Sequence, residues 1–402
     1  MRRAFRVVVL GAVAMLMVSG CQQGSGKDTS TGAAGAPSSS SSAPPTPTPS
    51  PAPSVSFTPA KGSSGVRPDQ QVQVSAADGK LTSVKVRTSD GKEVGGDLGT
   101  DGTSWHSSVP LTPGTAYTVS AEAESGDGKP STFTSTFSTM KPESTTSAVI
   151  IPGDGWTVGV GMPIQVQFGR NVKNKDAAVK TLVVTTTPPV EGAWHWMTDQ
   201  SVWWRPKEYW PADTKVHLSA AIDGAELAPG VWGRRMYTSD FAIGSSIIST
   251  VDVKKHTITV TKGGSVVRVL PVTTGKDDPR FRTRGGTKVI MEKLESVRMD
   301  ARTTGTDPKD PDFYDTVEHW AMRLTWSGEY LHARPGSDWA FGKYNISHGC
   351  TGLSDANAKW LYDFSKVGDV VTYVGSSRPL EFGNGYTAWD MSYAQWAGTT
   401  TN

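Results

Sequence analysis

Apolar and polar residues alternate in short runs, and turn residues cut each run before it can lengthen. "QVQVSA" (Gln71 to Ala76), "SVKVRT" (Ser83 to Thr88) and "AYTVSAEA" (Ala116 to Ala123) all follow a period of two. Asp-Gly pairs at Asp78, Asp90 and Asp101 mark turns between such runs. A period of two puts successive side chains on opposite faces of a strand, so the pattern demands sheets with one buried face. Helical bundles are excluded over this part of the chain. With 43 Gly and 26 Pro among 402 residues, the composition points the same way. The fold class expected is mainly β.

The length calls for two to four domains. Lys plus Arg number 40 and Asp plus Glu 38, and this near balance gives no reason to expect nucleic acid as a partner. The amino terminus reads as a targeting segment. Arg2, Arg3 and Arg6 precede the apolar run Val7 to Val18, which is short for a bilayer span. The run closes on Ser19-Gly20-Cys21, a match to a bacterial lipoprotein signal (residues 1–21). Cleavage before Cys21 and lipidation of its thiol are expected. An uncleaved anchor or an ordinary signal peptide would be the alternatives. Residues 22–53, including "SSSSSAPPTPTPSPAP", cannot bury a core and read as a disordered tether. The expected location is the outer face of the cell membrane, lipid-anchored and facing the wall.

Residues 54–140 read as one immunoglobulin-like β-sandwich and residues 141–245 as a second. "TSTFST" (Thr134 to Thr139) and "TSDFAI" (Thr238 to Ile243) close the two modules, and "TPGTAYTVSA" echoes "PADTKVHLSA". The second module gathers Trp194, Trp196, Trp203, Trp204, Tyr209 and Trp210. A sugar-stacking face is one use for them. Burial in a core and a domain interface is the expectation, because large aromatics dominate such contacts. Residues 246–375 change character. "STVDVKKHTITVTKGGSVVRVLPVTTG" (Ser249 to Gly275) is a strand, a Gly-Gly turn and a strand, followed by a long polar stretch to Tyr314. "EHWAMRLTWSGEYLHA" is a further strand pair, and "SDANAKWLYDFSKVG" is a helix with Ser354 as N-cap. Residues 376–402 hold too little core to fold alone and are expected to pack back on that domain.

The chain has two cysteines, Cys21 and Cys350. If Cys21 carries lipid, Cys350 is an odd thiol in an exported protein, which suggests a nucleophile or an intermolecular bridge. It stands before a helix N-terminus, where backbone N–H groups favour a thiolate. Its neighbours Ser347, His348, Gly349 and Thr351 are small or polar, a poor core segment. Gly349 allows close backbone approach, and N–H groups at Gly349 and Cys350 could receive an oxyanion. A thiol nucleophile needs a base, and His332, at a strand end, is the candidate, with His348 shaping the site. No other site class is visible. A CxxC pair, a zinc-ligand spacing and a phosphate-binding glycine loop are all missing from the sequence.

"SHGC" with a histidine 18 residues upstream (350 − 332) resembles the L,D-transpeptidase catalytic domain of the YkuD-like type. The likeness runs through "VDVKKHTITV", "TTGK", "TRGGT", "YLHA", "NISHGC" and the segment after it, from about Ser249 onward. The two sandwiches and the lipoprotein signal are similar to the actinobacterial members. The resemblance implies Cys350 as nucleophile, His332 as general base, and the backbone carbonyl of Ala333 as the group that orients the base. Ser347, His348 and Gly349 would complete the motif. Gly352 stands where many members have Arg or Asn, and Arg284 stands where a Pro is usual. Tyr314, Trp339 and Tyr344 would line the donor cleft or a lid. The implied reaction is acyl transfer from a peptidoglycan stem tetrapeptide, with release of D-Ala and a 3→3 cross-link. It requires no cofactor or metal, and carbapenems would acylate Cys350. Water or a protein amine as acceptor remains open, as does a non-catalytic wall-binding protein. A monomer is expected.

Overall fold

The computed structural model describes residues 50–398. Cys21, the targeting segment and most of the tether lie outside the described residues. Residues 50 onward form one compact unit built of paired β-sheets.

The first pair comprises a four-stranded sheet (Ser54–Thr58, Gln73–Ala77, Ser104–Ser107, Gly96–Leu98) and a five-stranded one around Ala116–Ser125 and Pro130–Thr139. Alternation decides which side faces in. Along Ala116–Ser125, Tyr117, Val119, Ala121 and Ala123 are buried, and the residues between them point outward or sit half-exposed. The second pair follows the same logic. Val216, Leu218 and Ala220 of Lys215–Ala220 meet Ile164, Val166 and Phe168 of Ile164–Phe168 in one core. Trp194, Trp203, Trp204 and Trp210 are buried there, so these aromatics serve packing.

The region from residue 246 on, expected to be catalytic, has two sheets. The first runs Ser265–Pro271, Thr257–Lys262, Ile247–Asp252, Val370–Val374, Gly286–Val289, with Ile247–Asp252 and Val370–Val374 parallel. The second runs Glu292–Asp300, Asp315–Arg323, Tyr330–Ala333, Thr351–Leu353, and its last pair is parallel. The helix Asp355–Phe364 packs Ala358 and Leu361 onto a core shared with Val260, Leu331 and Val371. Ser354 caps it, its Oγ accepting from Asn357 N at 3.4 Å. The long polar stretch up to Tyr314, for which the sequence suggests no element, contains the nine-residue strand Glu292–Asp300, paired with Asp315–Arg323 into a long hairpin arm. No residue of that strand is buried, so no alternation betrayed it.

The segment after residue 375 packs on more than the catalytic region. At first it does as expected: Gly285 N donates to Arg378 O (2.7 Å) and Leu380 N to Gly285 O (2.9 Å). It then crosses to the second sandwich. Trp389 Nε1 donates to Gly161 O (2.7 Å), and the helix Tyr393–Gly398 lies along Gly192–Trp196. Trp396 is fully buried, with Nε1 donating to Ala193 O at 2.9 Å. The Arg205 guanidinium lies 4.7 Å from the Trp389 ring and 5.2 Å from that of Trp396. The aromatic-rich sandwich has more apolar surface than its own strands can cover, and this segment covers it. Gly159 tightens the same joint. Its N–H donates to Val367 O (2.8 Å), and a Cβ there would lie 2.2 Å from Asp369 N.

Trp396→Ala should therefore destabilise the second sandwich and the catalytic region together, by about 3–5 kcal/mol. Urea unfolding followed by Trp fluorescence and by Cys350 alkylation should show both transitions moving to lower denaturant.

Candidate active site

The site is built on the parallel pairing of Tyr330–Ala333 with Thr351–Leu353. Leu331 faces Thr351, His332 faces Gly352 and Ala333 faces Leu353. This register sets Cys350, one residue before the second strand, beside His332. The loop ahead of it is tied down by Ser347. The Ser347 hydroxyl donates to Cys350 O (2.5 Å) and accepts from Gly349 N (3.1 Å). Cys350 is half-buried, and its Sγ lies 3.5 Å from Gly328 O.

His332 is almost fully buried. Its Nδ1 donates to Ala333 O at 2.7 Å, which leaves Nε2 for the thiol. Glu318 Oε2 is 3.2 Å from the same Nδ1. Burial alone would push the His332 pKa down. Hydrogen bonding and charge from Cys350 and Glu318 outweigh it, so the pKa rises from 6.5 to about 9. Glu318 moves the opposite way: its burial favours the neutral acid, but His332 holds its carboxyl below the usual range. The arrangement holds His332 as an imidazolium at neutral pH, beside the thiol.

Two cavities open on Cys350. One of about 340 Å³ is lined by Met299, Glu318, His332 and Arg334. The other, about 700 Å³, is lined by Phe281, Thr303, Asp310, Glu329 and Arg378. Tyr314 and His348 border both. Tyr314 closes the loop at the tip of the hairpin arm, where Ala301 N donates to its carbonyl (2.9 Å), and this tip borders the larger cavity.

Beneath the loop lies a buried charge network. Lys288 is fully buried, with Nζ 2.5 Å from Glu329 Oε2. Arg284 donates to Glu329 Oε1 from its backbone N (3.0 Å) and from Nη1 (3.2 Å). Its Nε reaches Glu381 Oε2 at 2.5 Å. Burial pushes the Lys288 pKa down against the pull of Glu329. Tyr373, under Lys288, bonds Thr351 through its hydroxyl (2.7 Å). Arg284 thus replaces the expected Pro with a strut to this network.

A model of the L,D-transpeptidase catalytic domain matches residues 246–372, and a model of a bacterial Ig domain matches residues 63–226. L,D-transpeptidase 2 of Mycobacterium tuberculosis is 36% identical over 336 residues, covering 83% of this chain and 82% of the relative. This chain belongs to the L,D-transpeptidase family. L,D-transpeptidase 5 of the same species is 35% identical over 343 residues, covering 84% of this chain and 74% of that one. Among solved structures, that of LD transpeptidase LdtMt1 in complex with imipenem aligns with a TM-score of 0.50 and 33% identity. It covers 57% of this chain and 99% of the other.

The structure brings together Cys350, His332, the Ala333 carbonyl, Ser347, His348, Gly349 and Tyr314. Some of the expected roles change. The Gly349 N–H is taken by Ser347 Oγ, so it is not free for an oxyanion; the Cys350 N–H has no acceptor among the described residues. The Ser347 hydroxyl is likewise spent on the loop rather than on a substrate. The His348 ring packs between Phe281 and Tyr314 (centroids 4.7 and 4.9 Å), and its Nε2 sits 3.6 Å from Asp312. Burial and Lys276 lower its pKa, so it stays neutral. Trp339 and Tyr344 pair with each other at 6.0 Å, are exposed, and line neither cavity. Gly352 has no side chain to offer, and the Arg334 side chain lies over it. Sequence reasoning missed Glu318, Glu329 and Lys288. None stands in the motif, and only the register of the strands brings them to it.

Glu318→Gln and Cys350→Ala should each lower the His332 pKa, because each removes a partner that raises it. In the double variant burial wins and the value falls below 6.5. Ring ¹⁵N shifts followed between about pH 5 and 10 would read this. For wild type, the native state holds the extra proton between 6.5 and 9. Its contribution to stability is complete below 6.5 and is lost as pH rises through 9.

Proposed function

We propose that this L,D-transpeptidase forms 3→3 cross-links between peptidoglycan stem peptides, with Cys350 as nucleophile and His332 as its acid and base. The observation that carries the reading is the buried His332 imidazole, fixed through Nδ1 on Ala333 O and turned toward the Cys350 thiol.

The Cys350 thiolate attacks the carbonyl carbon between the third stem residue and the terminal D-Ala. Charge develops on the carbonyl oxygen, where the Cys350 N–H is available to receive it. The C–N bond breaks, and His332 Nε2 gives its proton to the departing D-Ala amine. A thioester to Cys350 remains. An amine of a neighbouring stem's third residue attacks it, passes a proton back to Nε2, and expels the thiolate as the new amide forms. Protons balance over the two halves, and one histidine serves both.

Two cavities meeting at Cys350 suit this order: one can hold the acyl donor while the other admits the amine. The imipenem complex of LdtMt1, a 33% identical relative, supports carbapenem acylation at Cys350. The same reading places the protein outside the membrane, on a lipid at Cys21 and a tether over residues 22–53. It rests on the residues of that segment alone.

Residues 50–402 incubated with a carbapenem should gain one adduct by intact mass, and Cys350→Ala should gain none. His332→Gln should slow acylation by about 10²–10⁴-fold. With stem tetrapeptide as donor and acceptor, a cross-linked dimer and free D-Ala are expected. Tripeptide without dimer would assign water as the acceptor instead.

A further inference from the structure

The smaller cavity holds a cation that the acyl-transfer chemistry does not use. Arg334 follows the catalytic strand by one residue, and its backbone N donates to Leu353 O at 2.8 Å. Its side chain turns back across the sheet over Gly352. A Cβ on Gly352 would sit 3.0 Å from both Cβ and Cδ of Arg334, and 3.1 Å from Thr273 Cγ2. The absence of a side chain at 352 is therefore what gives Arg334 its path. The stem is half-buried, and the residue lines the cavity that holds Cys350, His332 and Glu318.

The guanidinium is underused. Nε donates to Ser337 Oγ at 3.2 Å. No carboxylate among the described residues forms a salt bridge with it. Several arginines around the site are paired with carboxylates: Arg284 with Glu329 and Glu381, Arg298 and Arg302 with Asp315. Among the described residues Arg334 is the only Lys or Arg lining this cavity. The cavity's one carboxylate, Glu318, is engaged by His332. Arg334 shares the lining of this cavity with Glu318, His348 and Cys350, so its charge faces the site. A guanidinium with its terminal N–H groups free, on a wall of a half-enclosed site, is matched in shape and charge by a carboxylate, which accepts two parallel hydrogen bonds.

We propose that Arg334 is a specificity-determining residue that binds a free carboxylate of the donor peptide. The proposal deepens the reading above and rests on the donor acylating Cys350. Two carboxylates are candidates: that of the terminal D-residue which leaves, and one inside the stem which stays. Either way the chain selects acidic donors over amidated ones, and the selection comes from Arg334 reaching across Gly352.

Three synthetic tetrapeptides test this: one with all carboxylates free, one amidated at its C-terminus, and one amidated only at its internal carboxylates. The rate of thioester formation at Cys350 is followed by mass. Wild type should prefer the free peptide over one of the amidated forms by about tenfold or more, and the disfavoured form names the carboxylate. In Arg334→Gln that preference should collapse, and Arg334→Lys should keep part of it. Gly352→Asn, which crowds the arginine stem, should weaken it too. Equal rates for all three peptides in wild type would overturn the proposal, as would an Arg334→Gln variant that keeps its preference. A second measurement is independent of the donor reading. Cys350 is alkylated with iodoacetate and, separately, with neutral iodoacetamide. The ratio of the two rates should fall in Arg334→Gln, while iodoacetamide reports on the thiol itself. If no peptide acylates wild type, the donor reading fails, and the alkylation ratio alone decides whether Arg334 is an anion site. An unchanged ratio then overturns it.

Discussion

Parallel strands cannot be joined by a tight turn, and residues 334–350 make the long connection between Tyr330–Ala333 and Thr351–Leu353. That connection has to leave one strand and return to start the next alongside it. The return point is Cys350, and the departure point is His332-Ala333. Base and nucleophile are thus neighbours because a three-residue ladder has one register. A shift of one residue would turn His332 to the other face of the sheet and take the Nδ1 contact with Ala333 O out of line with the thiol. The Ser347 ties and the capped helix behind Leu353 hold the return point. Lys288, Glu329 and Arg284 hold the departure side from below.

Burying that many charges is costly unless each is met. Lys288 has Glu329, Glu329 has Arg284 as well, and Arg284 also reaches Glu381. His332 has Glu318 and the thiol. The chain of partners sets the buried His332 among charged groups, where hydrogen bonds and opposite charge count for more than they would in water.

The parts visible in the sequence are those encoded locally. Strands such as Ala116–Ser125 alternate because one face is buried. The helix Asp355–Phe364 carries its own cap at Ser354, and Cys350 and His332 sit within one supersecondary unit. The parts hidden are those that depend on distant partners. Glu292–Asp300 has solvent on both faces, so its strand shows no period. Glu318 is one of many surface-like acids until the strand Asp315–Arg323 turns it to His332. Gly349 looked like an oxyanion donor because its hydrogen bond to Ser347 belongs to the folded loop. Trp339 and Tyr344 are expected from the resemblance to line the donor cleft or a lid, but both are exposed and border neither cavity.

The strap that carries Trp389 and Trp396 also fixes an order of assembly. The strand Gly192–Trp196 and Arg205 present an aromatic groove whose cover arrives about two hundred residues later, as His195 with Trp396 and Ala193 with Trp396 show. A chain made amino end first can close its first sandwich at once. The second must wait, with its groove open, until the whole catalytic region has followed. Completion of the second sandwich therefore reports that the catalytic region has arrived, and a chain cut short before residue 386 displays an unburied aromatic surface to whatever clears misfolded protein.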